Sequence, residues 1–304
     1  MTLLDRAIVR LLPAVPKPVV QLFSARYIAG ATLTDAVRVV QQLNADGKLA
    51  TIDVLGEDVT NPDEAQTIVQ AYLDVLDTIA ERSLDSNISV KPTALGLDLS
   101  TELFHDNLEI LVRRAQTYDN FVRIDMEDSA TTDDTLRVYR QLREEGHANV
   151  GVVLQAHLRR TLDDIRSLAD LRPNVRLCKG IYVEPPSIAF ADDEAIRANF
   201  VRCLDELFGT RAYVGIATHD EWLIREALDR IAKRGLAPDR YEFQMLLGVR
   251  EERATELVRE GHRLRVYVPY GEHWYQYSLR RLQENPAMAG TIARATVGRV
   301  LGRE

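Results

Sequence analysis

Short runs rich in β-branched and apolar residues alternate with longer segments of helical periodicity, and the cycle repeats eight times after residue 50. In the last run the apolar positions alternate with Arg265 and Tyr267, a period of two that is typical of a strand. The predicted strands are 51–56, 88–93, 121–127, 150–156, 175–182, 212–220, 241–248 and 264–271. Helices are predicted between them, for example over 64–83 and 105–116.

Capping residues support several of the predicted helix starts. Asn61 precedes Pro62, a residue suited to the first helical position, and Ser100 precedes an acidic first turn. Asp220 stands in the same way before the helical segment EWLIREAL. These residues therefore have a structural explanation that needs no function.

The strand and helix alternation predicts right-handed βαβ units and a parallel sheet, hence an α/β fold. Eight units of about 30 residues fit a closed (β/α)8 TIM-like barrel. An open doubly wound sheet is the alternative, but no GxGxxG follows a predicted strand. We expect one domain over residues 1–304, with N-terminal helices in 1–45, the barrel in 51–285 and a C-terminal helix in 287–302.

Composition narrows the functional classes. The formal charge of −8 argues against nucleic-acid binding. Cys178 and Cys203 have neither metal-ligand spacing nor a disulfide framework, which fits a reducing cytoplasm. The apolar segment 7–23 is interpreted as a helix packed on the body, with peripheral contact to the inner face of the cell membrane as the alternative.

Polar residues concentrate at the ends of the predicted strands, where a parallel barrel has its active site. A charged group inside a barrel strand costs several kcal/mol unless it is paired or used. His219 alone would be interpreted as a structural histidine, and Lys91 alone could extend outward from its strand. Together, however, five cationic side chains expected at one site of an acidic chain predict an anionic ligand. The five residues are Lys91, Arg176, Lys179, Arg280 and Arg281.

These residues lie in motifs through which the chain resembles the proline dehydrogenases, the flavin-dependent barrel enzymes of proline catabolism. The short monofunctional bacterial forms are the most similar, and the resemblance covers the chain from about residue 30 onward. The most specific motif is Tyr277-x-x-Arg280-Arg281-x-x-Glu284. The supporting motifs are SVKPTALGLDLS, RIDMEDS, RLCKGIY and ATHD on successive strands.

The resemblance implies the roles of the substrate-binding residues. Arg280, Arg281 and Lys91 would bind the substrate carboxylate, and Glu57 would pair with the arginines as a gate. The residues implied to line the pocket around the pyrrolidine ring are Tyr267, Tyr277, Tyr182 and Leu247. Because Tyr267 is bulky, we expect it to exclude a ring hydroxyl, so that proline is preferred to hydroxyproline.

The resemblance also implies a noncovalent FAD and the chemistry of the reaction. Asp125 and Arg176 would form a polar pair near the flavin and are the expected catalytic residues. The expected FAD contacts are Met126, Gln155, Lys179, Gly180, Ile181, Thr218 and His219. Hydride transfer from L-proline to flavin N5 would produce 1-pyrroline-5-carboxylate, with electrons passed to a quinone. The chain is too short to include the aldehyde dehydrogenase domain of bifunctional relatives, so a separate pyrroline-5-carboxylate dehydrogenase is expected.

Other functions stay open at this stage. A barrel enzyme acting on a phosphorylated metabolite would use Arg280 and Arg281 for phosphate, but only Gly248 suggests a phosphate loop after the seventh strand. Hydroxyproline dehydrogenase is an alternative within the same family. A noncatalytic scaffold would be expected to lose site residues, whereas the matched positions are filled. No HxH pair or carboxylate–histidine ligand set is apparent, so no metal is expected.

Overall fold

The computed structural model describes residues 26–56, 59–274 and 277. Eight parallel strands form a closed barrel in chain order. The strands are β1 (Leu49–Val54), β2 (Ser86–Val90), β3 (Val122–Ile124), β4 (Val150–Gln155), β5 (Asn174–Cys178), β6 (Tyr213–Ala217), β7 (Tyr241–Leu246) and β8 (Leu264–Tyr270). The α-helices in the described ranges are α1 (Leu33–Ala45), α2 (Pro62–Glu81), α3 (Thr101–Thr117), α4 (Thr132–Glu144), α5 (Thr161–Ser167), α6 (Asp193–Gly209), α7 (Glu221–Arg234) and α8 (Glu251–Arg259).

The predicted (β/α)8 barrel and its eight strands are confirmed, but several strands end earlier than predicted. β2 stops at Val90 because Pro92 has no N–H to donate and the 3-10 turn Thr93–Leu95 begins directly after it. β6 stops at Ala217, and residues 218–220 form a short connection to α7, which begins at Glu221. The polar ends of the predicted strands are therefore loops on the C-terminal side of the barrel.

The helices form where the sequence supplies caps and an apolar face. The side chains of Asn61, Ser100 and Asp220 accept backbone N–H groups at the starts of α2, α3 and α7, which confirms the three predicted caps. In α2 the buried positions recur at helical spacing and pack on the barrel wall. They are Ala65, Val69, Tyr72, Val75, Leu76 and Ile79.

The predicted domain limits reach beyond the described residues. α1 falls within the predicted N-terminal helical segment, whereas residues 1–25 and the predicted helix 287–302 lie outside the described ranges. The assignment of one domain over 1–304 stays a prediction. Among the described helices, none combines the length and the apolar character that a bilayer span requires.

Candidate active site

A cavity of about 570 Å³ opens at the C-terminal end of the barrel. Residues contributed by many separate strands and loops line it, as the barrel rule predicts. Thirteen of the residues predicted from the sequence are among them: Lys91, Asp125, Met126, Gln155, Arg176, Lys179, Gly180, Ile181, Tyr182, Thr218, His219, Tyr267 and Tyr277.

Four predicted site residues are not among those that line this cavity. Glu57, Arg280 and Arg281 lie outside the described residues. Leu247 is described, but it lines a different groove, between α1 and α8, together with Arg26. The structure therefore supplies no contact between Leu247 and the cavity.

Asp125, directly after β3, accepts hydrogen bonds from three side chains. Arg176 Nη1 and Ser89 Oγ each lie 2.7 Å from Oδ1, and the Tyr267 hydroxyl donates to Oδ2 at 3.0 Å. Arg176 is further held by its Nε, which donates to Gln244 Oε1 at 2.5 Å. The predicted polar pair of Asp125 and Arg176 is formed, with a fixed orientation; its role in a reaction stays a proposal.

Lys91, directly after β2, contacts a carboxylate that the sequence analysis missed. Its Nζ lies 2.8 and 2.9 Å from the two oxygens of Asp53 on β1. Asp53 is fully buried, which raises its pKa above the ordinary value, while Lys91 opposes that rise. A signal was available: Asp53 is a charged residue inside an otherwise apolar strand, the criterion that singled out the other site residues.

Two predicted pocket tyrosines belong to the cavity wall. Burial raises the pKa of Tyr267 well above its ordinary value, so its hydroxyl stays protonated and acts as a donor to Asp125. Tyr277 is buried and packs in a cluster with Tyr27, Ile28 and Leu55. These contacts form an apolar wall beside the charged residues, which suits a ligand with both an apolar and an anionic part.

The rim beyond β5 and β6 contains a second fixed cation. Asp220 binds Lys179 Nζ at 2.6 Å and Arg197 Nε at 2.7 Å, while it also caps α7 through the Trp222 N–H. Burial alone would raise the pKa of Asp220, but Arg197 and Lys179 lower it to about 2. The cap predicted from the sequence is therefore also an ion-pair partner, which the sequence analysis did not predict.

One side-chain amide and one imidazole of the cavity, those of Gln155 and His219, have orientations defined by their hydrogen bonds. Gln155 Nε2 donates to the carbonyls of Met126 and Glu127, both at 2.9 Å, whereas its buried Oε1 has no hydrogen-bond partner among the described residues. The Leu246 N–H donates to His219 Nε2 at 2.9 Å, so the proton of a neutral His219 is on Nδ1. Gln155 thus presents an acceptor, and His219 carries its ring proton on the other nitrogen.

Gly180 is required by a close approach of two loops. Its φ is +98°, and a Cβ at this position would lie 1.4 Å from His157 Nδ1. The same His157 nitrogen is 3.0 Å from the Lys179 carbonyl oxygen. Glycine therefore lets the cavity-lining loop that carries Lys179 and Ile181 pack against His157.

Charged residues also occupy the N-terminal half of the barrel interior, and the sequence analysis did not predict them. Glu242 accepts hydrogen bonds from Arg265 Nε at 2.8 Å and from the Tyr213 hydroxyl at 3.0 Å. Gln244 Nε2 also donates to Glu242, at 2.5 Å. Burial alone would raise the pKa of Glu242, but Arg265 in particular lowers it to about 2. The carboxylate is therefore ionised at neutral pH.

Arg123 on β3 is a further charged residue in the N-terminal half of the barrel interior. Its Nη1 donates to the carbonyls of Val152 and Asn174 at 3.0 and 2.7 Å, and burial together with nearby Arg176 lowers its pKa to about 9. Gly151 is the register partner of Arg123, and a Cβ there would lie 2.6 Å from Arg123 Nη1. The barrel thus accommodates a long buried side chain next to a glycine.

One carboxylate–histidine set appears in the structure, although the sequence analysis found none. Oxygen or nitrogen atoms of Glu109, Glu145 and His147 lie within 4.8 Å of one another, and none of the three residues lines the cavity. Glu109 is contacted by Arg113 at 2.6 Å, and Glu145 by His105 at 3.1 Å. These contacts describe an ion-pair cluster between α3 and the loop after α4.

Comparisons with known proteins identify the family of the chain. The family model for proline dehydrogenase matches residues 36–294. Proline dehydrogenase 1 of Bacillus subtilis (strain 168) is 40% identical over 272 residues, which cover 90% of this chain and 90% of the relative. The proline dehydrogenase of Deinococcus radiodurans is 34% identical over 271 residues, or 88% of this chain and 87% of the relative.

Solved structures show the same fold. Proline utilization A from Bdellovibrio bacteriovorus, inactivated by N-propargylglycine, superposes with a TM-score of 0.83 at 24% identity. The match covers 92% of this chain and 36% of that larger protein, so this chain spans about a third of its length. The family model and the curated relatives each extend over most of the sequence, and the chain belongs to the proline dehydrogenase family.

Proposed function

We propose that this protein oxidises L-proline to 1-pyrroline-5-carboxylate with a noncovalently bound FAD. The observation that carries the proposal is the cavity at the barrel mouth, where residues from most of the strands meet in a chain of this family. A barrel enzyme for phosphorylated metabolites has no comparable support, because the family match covers residues 36–294.

Proline as the substrate is supported by two features of the cavity: a cationic side chain for the carboxylate and aromatic side chains for the ring. Proline carries a carboxylate, for which Lys91 in the cavity wall supplies a donor. Its ring is apolar and would pack against Tyr267, Tyr277 and Tyr182, which line the same cavity. Arg280 and Arg281 would complete the carboxylate site, and Glu57 would gate it.

The described residues fit a flavin. The buried Oε1 of Gln155, which has no hydrogen-bond partner in the described part of the chain, is suited to an N–H donor such as the flavin ring imide. The cation Lys179, fixed by Asp220, is suited to the diphosphate of FAD. Met126, Gly180, Ile181, Thr218 and His219 would provide the remaining contacts. Bound FAD would supply the acceptor for the hydride that leaves the proline ring.

The protein's own residues would orient the substrate and adjust the charge of the site. Holding the carboxylate at one end leaves one ring face directed toward the cofactor, so that a single ring carbon can react. Arg176 lies in the same cavity with its guanidinium fixed by Asp125 and Gln244, and its charge would favour a reduced, anionic acceptor. Cations near the substrate amine would also favour the unprotonated amine that oxidation requires.

An absorption spectrum of the purified protein tests the proposal directly. We expect a yellow protein with the bands of an oxidised flavin, and we expect these bands to bleach when L-proline is added without oxygen. A colourless protein that does not bind added FAD would contradict the cofactor assignment. A flavin that stays oxidised with proline would contradict the substrate assignment.

Kinetics of Arg281→Met test the carboxylate site. Removal of one charged partner should raise the KM for proline about 30-fold or more, because the contact is worth roughly 2–5 kcal/mol. Flavin content serves as the control for folding and should stay unchanged. A KM equal to that of the unaltered enzyme would show that Arg281 does not bind the carboxylate.

We further propose that Tyr267 selects proline over hydroxyproline. Tyr267 lines the cavity and its hydroxyl is held by Asp125, so the ring cannot easily move aside for an added substrate hydroxyl. We expect kcat/KM to be at least about tenfold higher for proline, the factor that poor accommodation of one polar group supplies. Equal values for the two substrates would remove this argument.

Two later steps of proline oxidation, reoxidation of the flavin and use of the product, are also part of this proposal. Electrons would pass to a quinone, and a separate pyrroline-5-carboxylate dehydrogenase would consume the product. Assays with a soluble quinone analogue against oxygen as acceptor would test the first of these.

A further inference from the structure

A carboxylate directly behind the cavity wall has no role in the proposed function. Asp53 has no exposed surface and is not among the residues that line the cavity. Lys91 does line the cavity, and its Nζ lies 2.8 and 2.9 Å from the two Asp53 oxygens. Asp53 therefore lies one side chain behind the proposed substrate site, and both of its oxygens contact the lysine that would bind the substrate carboxylate.

A residue outside the barrel holds Asp53 in turn. Tyr72 on α2 is fully buried, and its hydroxyl oxygen accepts the Val54 N–H at 3.2 Å. The same hydroxyl lies 3.1 Å from Asp53 Oδ1 and 2.7 Å from the Ser89 carbonyl oxygen, so its one proton has two acceptors. These contacts join α2, β1 and β2 at the point where the Asp53 carboxylate is located.

The arrangement compensates for two properties of a lysine. Its ammonium is a point charge on a flexible stem, so by itself the side chain does not define a direction. Burial also disfavours the charged form of an amine, whereas an adjacent carboxylate favours it. A buried carboxylate with fixed position supplies both the direction and the counter-charge.

We propose that Asp53 is a positioning residue that holds the Lys91 ammonium charged and directed into the cavity, and that Tyr72 fixes Asp53. The use of Lys91 for the carboxylate of proline rests on the proposed function. The pairing also changes the charge balance of the site. Because Asp53 neutralises Lys91, the pair offers a substrate carboxylate a hydrogen-bond donor without an additional net positive charge.

A double-mutant cycle on the FAD-loaded full chain tests the proposal. Asp53→Asn should raise the KM for proline about 30-fold or more, as expected when one partner of a buried charge pair is lost, and should change kcat far less. If Asp53 acts through Lys91, the double variant with Lys91→Met should be no worse than Lys91→Met alone. Multiplying effects, or a normal KM in Asp53→Asn, would overturn the proposal.

Tyr72→Phe provides a milder variant in case Asp53→Asn does not fold. Loss of one ordinary hydrogen bond should raise the KM for proline about fivefold. Tyr139→Phe is the matched control, since Tyr139 is also fully buried on a helix, α4, but is not part of the Asp53 contacts. Equal KM values in the two variants would contradict the role of Tyr72.

A readout without proline separates this inference from the proposed function. Lys91 in the folded chain can be methylated by formaldehyde and borohydride and followed by peptide mass spectrometry. Because Asp53 favours the unreactive ammonium, Asp53→Asn and Tyr72→Phe should increase the labelling rate severalfold; an unchanged rate would overturn the inference. If the unaltered protein does not oxidise proline but labelling increases as expected, the proposed function fails and the positioning stands.

Discussion

Two sets of buried or partly buried charges occupy the same barrel, and they differ in what they contact. The upper cluster (Asp53, Lys91, Asp125 and Arg176) lies toward the C-terminal end, and three of its four members line the cavity. The lower cluster (Arg123, Glu242 and Arg265) comes from the second residues of β3, β7 and β8. Arg265 reaches the cavity floor, whereas neither Arg123 nor Glu242 lines the cavity.

The difference shows that a buried charge alone does not mark an active site. In the lower cluster, Glu242 and Arg265 make two contacts with each other, at 2.8 and 3.2 Å, and Arg265 also donates to the Ala50 carbonyl at 2.6 Å. In the upper cluster, Lys91 and Arg176 are each paired with a carboxylate and still line the cavity. We infer that the lower charges serve mainly the fold and the upper ones the ligand.

The largest effect is expected in the lower cluster. Glu242→Gln leaves the mostly buried Arg265 without its counter-charge, which should lower the free energy of unfolding by about 3–5 kcal/mol. The KM for proline should stay within about twofold, since Glu242 is outside the cavity. Denaturant unfolding and steady-state kinetics measure the two quantities.

The control is Glu144→Gln, a solvent-exposed carboxylate 3.5 Å from Arg140. It should change stability by less than about 1 kcal/mol. If Glu242→Gln is no more destabilising than this control, the lower cluster does not stabilise the fold.

Acid should remove the contribution of Glu242. Its pKa in the folded protein, about 2, lies below the ordinary value of 4.5. Its contribution to stability is therefore complete above pH 4.5 and is lost as the pH falls from there toward 2. We expect the stability difference between the unaltered protein and Glu242→Gln to shrink across that window in urea titrations. A difference that is independent of pH would contradict the ion-pair explanation.

In the upper cluster, activity should change more than stability. Arg176→Lys keeps the charge, but a lysine ammonium is a single point of charge and lacks the rigid planar fork through which Arg176 Nη1 reaches Asp125 and Nε reaches Gln244. We expect kcat/KM for proline to fall about 100-fold, the usual cost of losing one oriented donor. Arg160→Lys, at a half-buried ion pair with Asp164, is the matched control and should stay within about twofold. If Arg176→Lys changes kcat/KM no more than the control does, Arg176 serves the fold, like the lower cluster, rather than the ligand.

The smallest effect should come from the glycine that adjoins both clusters. A Cβ on Gly215 would lie 2.6 Å from Gln244 Nε2, and Gln244 contacts both Glu242 and Arg176. Gly215→Ala should cost about 1–3 kcal/mol of stability and reduce kcat measurably. Gly209→Ala, where a Cβ meets nothing within 4 Å, is the control. Equal stability of the two variants would show that Gln244 can move without cost.

Much of the site could be predicted because its position follows from the fold class. Lys91 and Asp125 were identified as polar residues at strand ends, and both line the cavity. Asp53 and Glu242 were missed although they interrupt apolar strands in the same way. They lie inside β1 and β7, respectively, whereas the barrel rule points to side chains at the C-terminal ends of the strands.

By itself, the sequence determined the alternation of strands and helices, the three caps and the end of the barrel at which polar residues collect. These properties depend on local periodicity and on hydrogen bonds within a few residues, as at Asn61 and Asp220. Which polar side chains contact each other was decided only by the tertiary structure of the closed barrel. Arg176 meets Asp125 across 51 positions and Gln244 across 68, because strand register and closure select which inward side chains face each other.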